Sequence, residues 1–341
     1  MSERILIHEV AKRSGCSIAT VSNVLNNKGR VGEKTRQVVL RSVKALGYKT
    51  NAAGRNLRTR RTETLGLFFY PSCAKIFLNP FYAEVMEGLE DGLLKVGYHL
   101  LLAGGQALTE DNFQTPDILR QGKIDGMILL GRFPESIIRD FTEAQTPLLL
   151  LDSNAEWAVD SVVSDGWSGE LEVVNHLVSM GHRRLVMLAY GWDDYNIDLR
   201  VQGFLAGLNR YGLEGGSEAV IRTSHLDEPL YEVLRQRLAG PNAPTALVAV
   251  NDTMARKMIR WLRADGFQVP GQISVVGFDD DVMPGFDPDP PLSTVQVDKK
   301  ELGRVGAELI LKRIASPSAP VSKLRMPVKF IARSSVARLE A

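Results

Sequence analysis

From residue 64 onward the chain repeats one theme. Short apolar runs at 65–70, 99–103, 126–130, 147–151, 184–189, 246–250 and 273–278 are separated by amphipathic stretches of helical period, among them 81–96, 168–180, 198–211 and 253–265. Strands alternating with helices imply parallel sheets covered on both faces. About 270 residues of this pattern exceed one open sheet and predict two lobes. A last strand is expected at 324–331. Ligands of such sheets bind beyond the carboxyl ends of the strands, so the polar residues just after the runs are the candidates. They are Asn79 with Pro80 and Phe81, Asp152 closing LLLLD, Asn251 and Asp252 after LVAV, Asp279 closing VVGFD, and Arg200 at the start of the helix after 184–189. Each has a plain alternative as a helix cap or a surface ion pair. Together, several hydroxyl-binding side chains at strand ends describe a cleft for a small polar molecule.

The stretch 7–26, IHEVAKRSGCSIATVSNVLN, is of a different kind. Its apolar residues fall at helical spacing at Ile7, Val10 and Ala11, then at Ile18, Val21, Val24 and Leu25, on either side of Ser14-Gly15-Cys16-Ser17. Gly15 permits a sharp turn, and the Ser17 hydroxyl can cap a second helix. Two short helices joined this way make a helix-turn-helix, whose second helix has the width of a DNA major groove. A third helix is expected at 33–46, stopped by Gly47, with an apolar side of Val38, Leu40, Val43 and Leu46. The segment 48–61 is poor in apolar residues and rich in Arg, which by itself reads as a linker. Residues 1–61 hold fourteen Lys and Arg against three acids, a net of +11, and the remaining 27 basic and 37 acidic residues give −10. An overall charge of +1 therefore hides a polyanion-binding head on an acidic body.

The run 7–61 resembles the DNA-binding headpiece and hinge of the LacI/GalR family of bacterial repressors, through IHEVAKRSGCSIATVSNVLN, VGEKTRQVVLRSVKALGY and NAAGRNL in order and spacing. The body resembles the same family's periplasmic-binding-protein type I fold, through LNPFYAEVMEGLEDGLLKVGY, GHRRLVML, PTALVAVNDTMA, VPGQISVVGFDD and PPLSTV. The resemblance implies an all-α headpiece at 1–50, a hinge at 51–63, and a two-lobed α/β body with parallel sheets at 64–341 for effector binding and dimerisation. DNA contacts would come from Ser17, Ile18, Ala19, Thr20, Ser22, Asn23 and Asn26. Ile18, Ala19 and Asn23 stand at the family's principal reading positions, and Asn at the last suits adenine where Arg would suit guanine. Asn51, Gly54 and Leu57 would act from a hinge helix in the minor groove, with Leu57 as the wedge that kinks the operator. Thr50 replaces the family's usual Pro and Gly54 its usual Ala. Glycine costs about 1 kcal/mol in a helix, so this hinge is expected to order only with operator or effector. In the body, Asp152, Asn196, Arg200, Asn251 and Asp279 match effector-contacting places. Asn79, Phe81 and Tyr82 stand at the cleft wall, and Ser164 stands where a size-setting residue is common. Trp167 and Trp192 are near cleft segments and could stack on a sugar or pack in the core; Val85, Leu89 and Leu93 could be core or interface.

The chain is too long for one small domain. Its N-terminus shows no secretory leader and it has no run long enough to span a membrane, so a cytoplasmic protein is expected. Cys16 and Cys73 have no metal or redox spacing around them, and packing roles are expected. There is no GxSxG, GxGxxG, Walker or HExxH motif, the five histidines are scattered, and Asp279-Asp280-Asp281 reads as solvated or capping. No cofactor, metal or catalysis is therefore expected. The leading reading is a repressor whose grip on double-stranded operator DNA answers to a sugar or sugar derivative, working as a homodimer for want of a C-terminal leucine-heptad segment. The alternatives are a solute-capturing or sugar-active protein whose head is not coupled to the ligand.

Overall fold

The structure is a computed structural model that describes residues 5–25, 29–48, 61–70, 79–103, 117–225, 228–282 and 289–339. Asn26, Asn51, Gly54, Leu57 and Cys73 lie outside the described residues. The chain divides into two compact units, Met1–Thr62 and Glu63–Ala341.

The first unit is a three-helix core. Helix α1 (Ile7–Ser14), α2 (Ile18–Leu25) and α3 (Glu33–Leu46) bury Val10, Ala11, Val21, Val24 and Val39 against one another. Glu9 accepts the Leu6 N–H at 2.7 Å, and the chain leaves α1 through Gly15 at φ 65°, a left-handed conformation that any side chain would strain. Cys16 is a free thiol packed against this core. The apolar side of α3 differs from the expected one. Val39, Val43 and Leu46 face the core, while Val38 and Leu40 are exposed. The helix is short enough that a one-residue rotation of the stripe still reads as periodic.

The second unit holds two parallel sheets. The first contains β1 (Thr64–Phe69), β2 (His99–Ala103), β3 (Gly126–Leu130), β4 (Leu148–Leu151), β5 (Asp160–Ser164) and β11 (Lys323–Met326), in the order β11-β5-β4-β3-β1-β2. The second contains β6 (Leu185–Tyr190), β7 (Val220–Thr223), β8 (Ala246–Ala249) and β9 (Ser274–Val276), in the order β7-β6-β8-β9. An antiparallel pair, β10 (Thr294–Val297) with β12 (Val328–Ile331), adjoins the end of β9 through isolated parallel bridges, Val276 to Ser293 and Asp279 to Gln296. Leu65, Leu67, Ile128, Leu130, Leu149 and Leu151 point to one face of the first sheet, and Phe68, Met127, Leu129, Leu148 and Leu150 to the other. Each face carries its own core, which is why these strands are apolar throughout.

The helices are α4 (Pro80–Leu94), α5 (Asp117–Arg120), α6 (Glu135–Glu143), α7 (Gly166–Ser179), α8 (Tyr195–Arg210), α9 (Glu228–Ala239), α10 (Asp252–Ala264) and α11 (Lys299–Ala315). The chain passes between the two sheets after β5, after β10 and again at Pro327. The expected single strand 324–331 is therefore two: β11 pairs with β5 and β12 with β10, and Pro327 between them has no N–H to continue a ladder. Strands β5, β7 and β10 went unforeseen, because their polar residues break the apolar runs. Val85, Leu89 and Leu93 are fully buried core residues of α4.

Helices α4 and α11 cross on glycines. A Cβ at Gly88 would lie 1.9 Å from the Lys300 carbonyl oxygen, and one at Gly303 would lie 2.0 Å from that of Val85. Backbone cannot yield as a side-chain tip does. Gly303→Ala is expected to destabilise the body by about 2 kcal/mol, lowering its melting temperature by several degrees in calorimetry, whereas alanine at Gly240, whose Cβ would meet nothing nearer than 3.5 Å, brings no such clash.

Candidate functional site

In the headpiece, the Ser17 hydroxyl accepts the Thr20 N–H at 3.1 Å and lies 2.9 Å from the Thr20 hydroxyl, capping α2 as expected. Ser17, Ile18 and Ala19 are exposed, and Ser22 and Asn23 are half-buried. Ala19 and Asn23 lie one turn apart on the same face, as do Ile18 and Ser22.

In the body, the residues at the strand ends converge. Arg200, on the first turns of α8, is buried; its Nη2 donates to Asp279 Oδ1 at 2.8 Å, its Nη1 to the Val250 carbonyl at 2.6 Å, and its guanidinium lies over the Phe278 ring at 3.8 Å. Gly166 makes room for it, since a Cβ there would sit 2.8 Å from Arg200 Cγ. Asp152, at the end of β4, accepts from the Tyr82 hydroxyl at 3.1 Å, and both its carboxylate and its carbonyl oxygen accept from Asn196 Nδ2, at 3.0 and 2.9 Å. Phe81 meets Tyr82 edge to face at 5.2 Å. Asp152, Asp279 and Asp280 have φ of 56°, 106° and 53°. Such strained backbone persists only where the surroundings hold it.

Asn79 and Asn251 are placed by capping: their side-chain oxygens accept from Phe81 N at 3.0 Å and Met254 N at 2.9 Å, opening α4 and α10. The far end of Asn251 reaches Tyr190, which stacks on Trp192 at 4.2 Å. Trp167 is partly exposed, and its carbonyl abuts Gly203. Ser164 is fully buried, and its hydroxyl has no hydrogen-bond partner. The aspartate triplet is not solvated, contrary to expectation: Asp279 and Asp281 are buried and Asp280 pairs with Arg333 at 2.7 Å. Beside this set lies a cavity of about 730 Å³, lined from the first lobe by Arg132, Phe133, Asp152 and Asn154 and from the second by Asp194 and Tyr195. Its size suits a small-molecule ligand.

Charge in the cleft is uneven. Burial pushes the Asp152 carboxyl up to about 8, with repulsion from Asp194 adding to it and Arg200 opposing. Burial raises Glu170 to about 8, against the pull of Arg200. Asp194 is raised by burial, and so is Asp279, which Arg200 restrains. Arg200 keeps its proton against burial because Asp279, Asp152 and Glu170 surround it. Glu170 and Asp194 are the residues that sequence reasoning missed. Asp194 caps α8, accepting from Asn196 N at 2.9 Å. Glu170 left a readable sign, for it occupies a core position of α7 in step with Val173, Val174 and Leu177.

Residues 6–51 match the bacterial regulatory proteins of the lacI family, and residues 174–336 match the periplasmic binding protein-like domain. An HTH-type transcriptional repressor PurR of Mannheimia succiniciproducens is 28% identical over 340 residues, covering 98% of this chain and 99% of that one. Along nearly its whole length the chain is similar to lacI-family repressors, and its head matches that family's DNA-binding domain. Among solved structures, a transcriptional regulator CelR–cellobiose complex is 28% identical with a TM-score of 0.71, covering 97% of this chain and 100% of that one. A lac repressor dimer bound to operator and an anti-inducer has the same fold at 21% identity, with a TM-score of 0.81 over 98% and 100%. A lacI-type DNA-binding domain joined to a periplasmic binding protein-like domain, with repressors as full-length relatives, is the make-up of a transcriptional regulator rather than of an enzyme. Among the described residues, no helix is long and apolar enough to cross a membrane, and no group of three or more potential ligands is placed to hold a metal ion.

The buried Glu170 has a measurable consequence. Its folded-state value near 8 lies above its ordinary value of 4.5, so between these the folded state holds a proton that the unfolded state has lost. That contribution to stability is whole below the lower value and disappears as pH rises through the upper one, at up to about 1.4 kcal/mol per pH unit. Urea titrations from pH 5 to 8 should show wild-type stability falling with pH more steeply than that of Glu170→Gln.

Proposed function

We propose that this repressor reads double-stranded operator DNA as a homodimer in the cytoplasm, and that a sugar or sugar derivative bound between the lobes sets its operator affinity. The observation that carries this reading is the convergence of Tyr82 and Asp152 of the first lobe with Asn196, Arg200 and Asp279 of the second. These groups donate to and accept from vicinal hydroxyls, and aromatic faces at Phe81, Tyr82 and Trp192 suit the apolar side of a sugar ring. The cellobiose bound by the CelR relative supports the ligand class. A ligand touching both lobes shifts operator affinity when it binds the DNA-competent and incompetent forms unequally, by about 1–3 kcal/mol in such couplings.

A second copy of the chain is supported by the first sheet's edge. Among the described residues, strand β2 ends the sheet and exposes Leu101 and Leu102, with Leu94 and Val96 of the preceding segment also exposed. An apolar unpaired edge invites a partner. Two headpieces would then read a nearly two-fold symmetric site.

Two experiments test the reading. In a thermal-shift screen of cellobiose, other neutral sugars, sugar acids, sugar phosphates and purines, a ligand at 100 times its Kd should add about 2.7 kcal/mol. The hit should vanish in Arg200→Ala and should alter operator affinity in the wild type; a panel without a hit would sink the effector assignment. In operator selection from random duplexes, wild type should return adenine at the base facing Asn23, and Asn23→Arg should turn that preference to guanine. Guanine from the wild type would refute the assignment.

A further inference from the structure

Lysine 299 is placed where a charge is least welcome. It is the first residue of α11, where the helix dipole repels cations, and its side chain is 3% exposed. Its partners account for its keeping. Nζ donates to the Asp280 carbonyl at 2.9 Å and lies 3.5 Å from Asp281 Oδ1 and 3.6 Å from Glu84 Oε1. These three belong to different parts of the body. Asp280 and Asp281 follow β9 of the second lobe, Glu84 is on α4 of the first, and α11 covers the first sheet.

The turn gripped by Lys299 is the one that presents Asp279 to Arg200. Its backbone is strained at two successive non-glycine residues, φ 106° at Asp279 and 53° at Asp280. Relaxation is prevented from several sides. Asp279 N donates to the Val295 carbonyl at 2.8 Å, Asp281 N to Asp252 Oδ2 at 2.9 Å, Arg256 Nη2 to the Asp281 carbonyl, and Arg333 and Gln296 hold the Asp280 carboxylate. All of these restraints come from the second lobe or the β10–β12 pair. Lys299 alone among the residues just named reaches the turn from a helix of the first lobe. On α4, Glu84 lies two residues beyond Tyr82, which bonds Asp152 within the first lobe, and Asp152 in turn accepts from Asn196 of the second.

We propose that Lys299 is a positioning residue of the effector cleft. It ties the Asp279–Asp281 turn to α4, sets where Asp279 stands relative to Tyr82, and passes a change at Asp279 into the first lobe. The role of Asp279 rests on the effector reading above; the mechanical tie does not. Removing Lys299 leaves Asp281 and Glu84 on opposite sides of a gap, and a disturbance of the turn then stops at the lobe boundary.

Amide hydrogen exchange on the full-length protein tests this without an effector. Asp279→Asn perturbs the turn from the cleft side. In the wild-type background it should change exchange of residues 84–87, in the second turn of α4, by at least tenfold. In a Lys299→Met background the same substitution should change it by less than threefold. Asp281→Asn, which removes the pair from the turn side and leaves the bond to the Asp280 carbonyl, should weaken the coupling in the same sense and serves if Lys299→Met does not fold. Equal effects of Asp279→Asn in both backgrounds, or none at α4 in the wild type, would overturn the proposal. Coupling that is present while the whole sugar panel leaves the melting temperature unmoved would overturn the effector reading and leave the tie standing.

Discussion

A buried guanidinium governs the cleft. Arg200 is held by Asp279, by the Val250 carbonyl and by the ring of Phe278, and it is set among the carboxyls of Asp152, Glu170 and Asp279. A buried ion pair of this kind is weak evidence for stability, since desolvation offsets most of the attraction. Its value is geometric. It fixes the end of β8, the turn after β9 and the start of α8 to one another. Removing the guanidinium would leave Asp279 buried without its counter-ion, so the acids and the arginine are kept or lost together.

The rest of the body serves to keep that point rigid on one side and adjustable on the other. Gly88 and Gly303 bring α4 and α11 to backbone contact in the first lobe, and Gly203 lets α8 press on the Trp167 carbonyl in the second. Helices packed this closely move as bodies rather than deform. Between the lobes the chain crosses three times, and side chains cross at Asp152–Asn196, Arg132–Asp193, Arg325–Tyr195 and Lys299. A ligand that engaged Asp152 from one lobe and Arg200 from the other would act on two stiff pieces, which is the arrangement a population-shifting effector needs.

How far the site was legible depended on the residue. Asp152 and Asp279 could be marked because they follow strands closely, where parallel sheets leave their ligands, and Arg200 because it lies near the start of the helix after one. Asn79 and Asn251 stood in the same places, yet their oxygens are engaged in capping, a role that sequence position alone cannot tell from ligand binding. Glu170 was hidden among Val173, Val174 and Leu177, because a helical stripe records which residues face inward but not what they meet there. The aspartate triplet was misjudged for the same reason. Three neighbouring acids read as a solvated run until the fold turns each toward a different partner, Arg200, Arg333 and Lys299.

By itself the sequence determined what depends on local order: the helix pair around Gly15, the basic head on an acidic body, the alternation that makes parallel sheets, and the strand ends where a ligand belongs. The tertiary structure alone decided that 324–331 is two strands in separate places, that Val39 and not Val38 faces the headpiece core, and that Lys299 joins Glu84 to Asp281. The division is physical. Periodicity and turn chemistry are written within a few residues of chain, whereas a buried charge is stabilised by partners more than two hundred residues away that only packing brings within 4 Å.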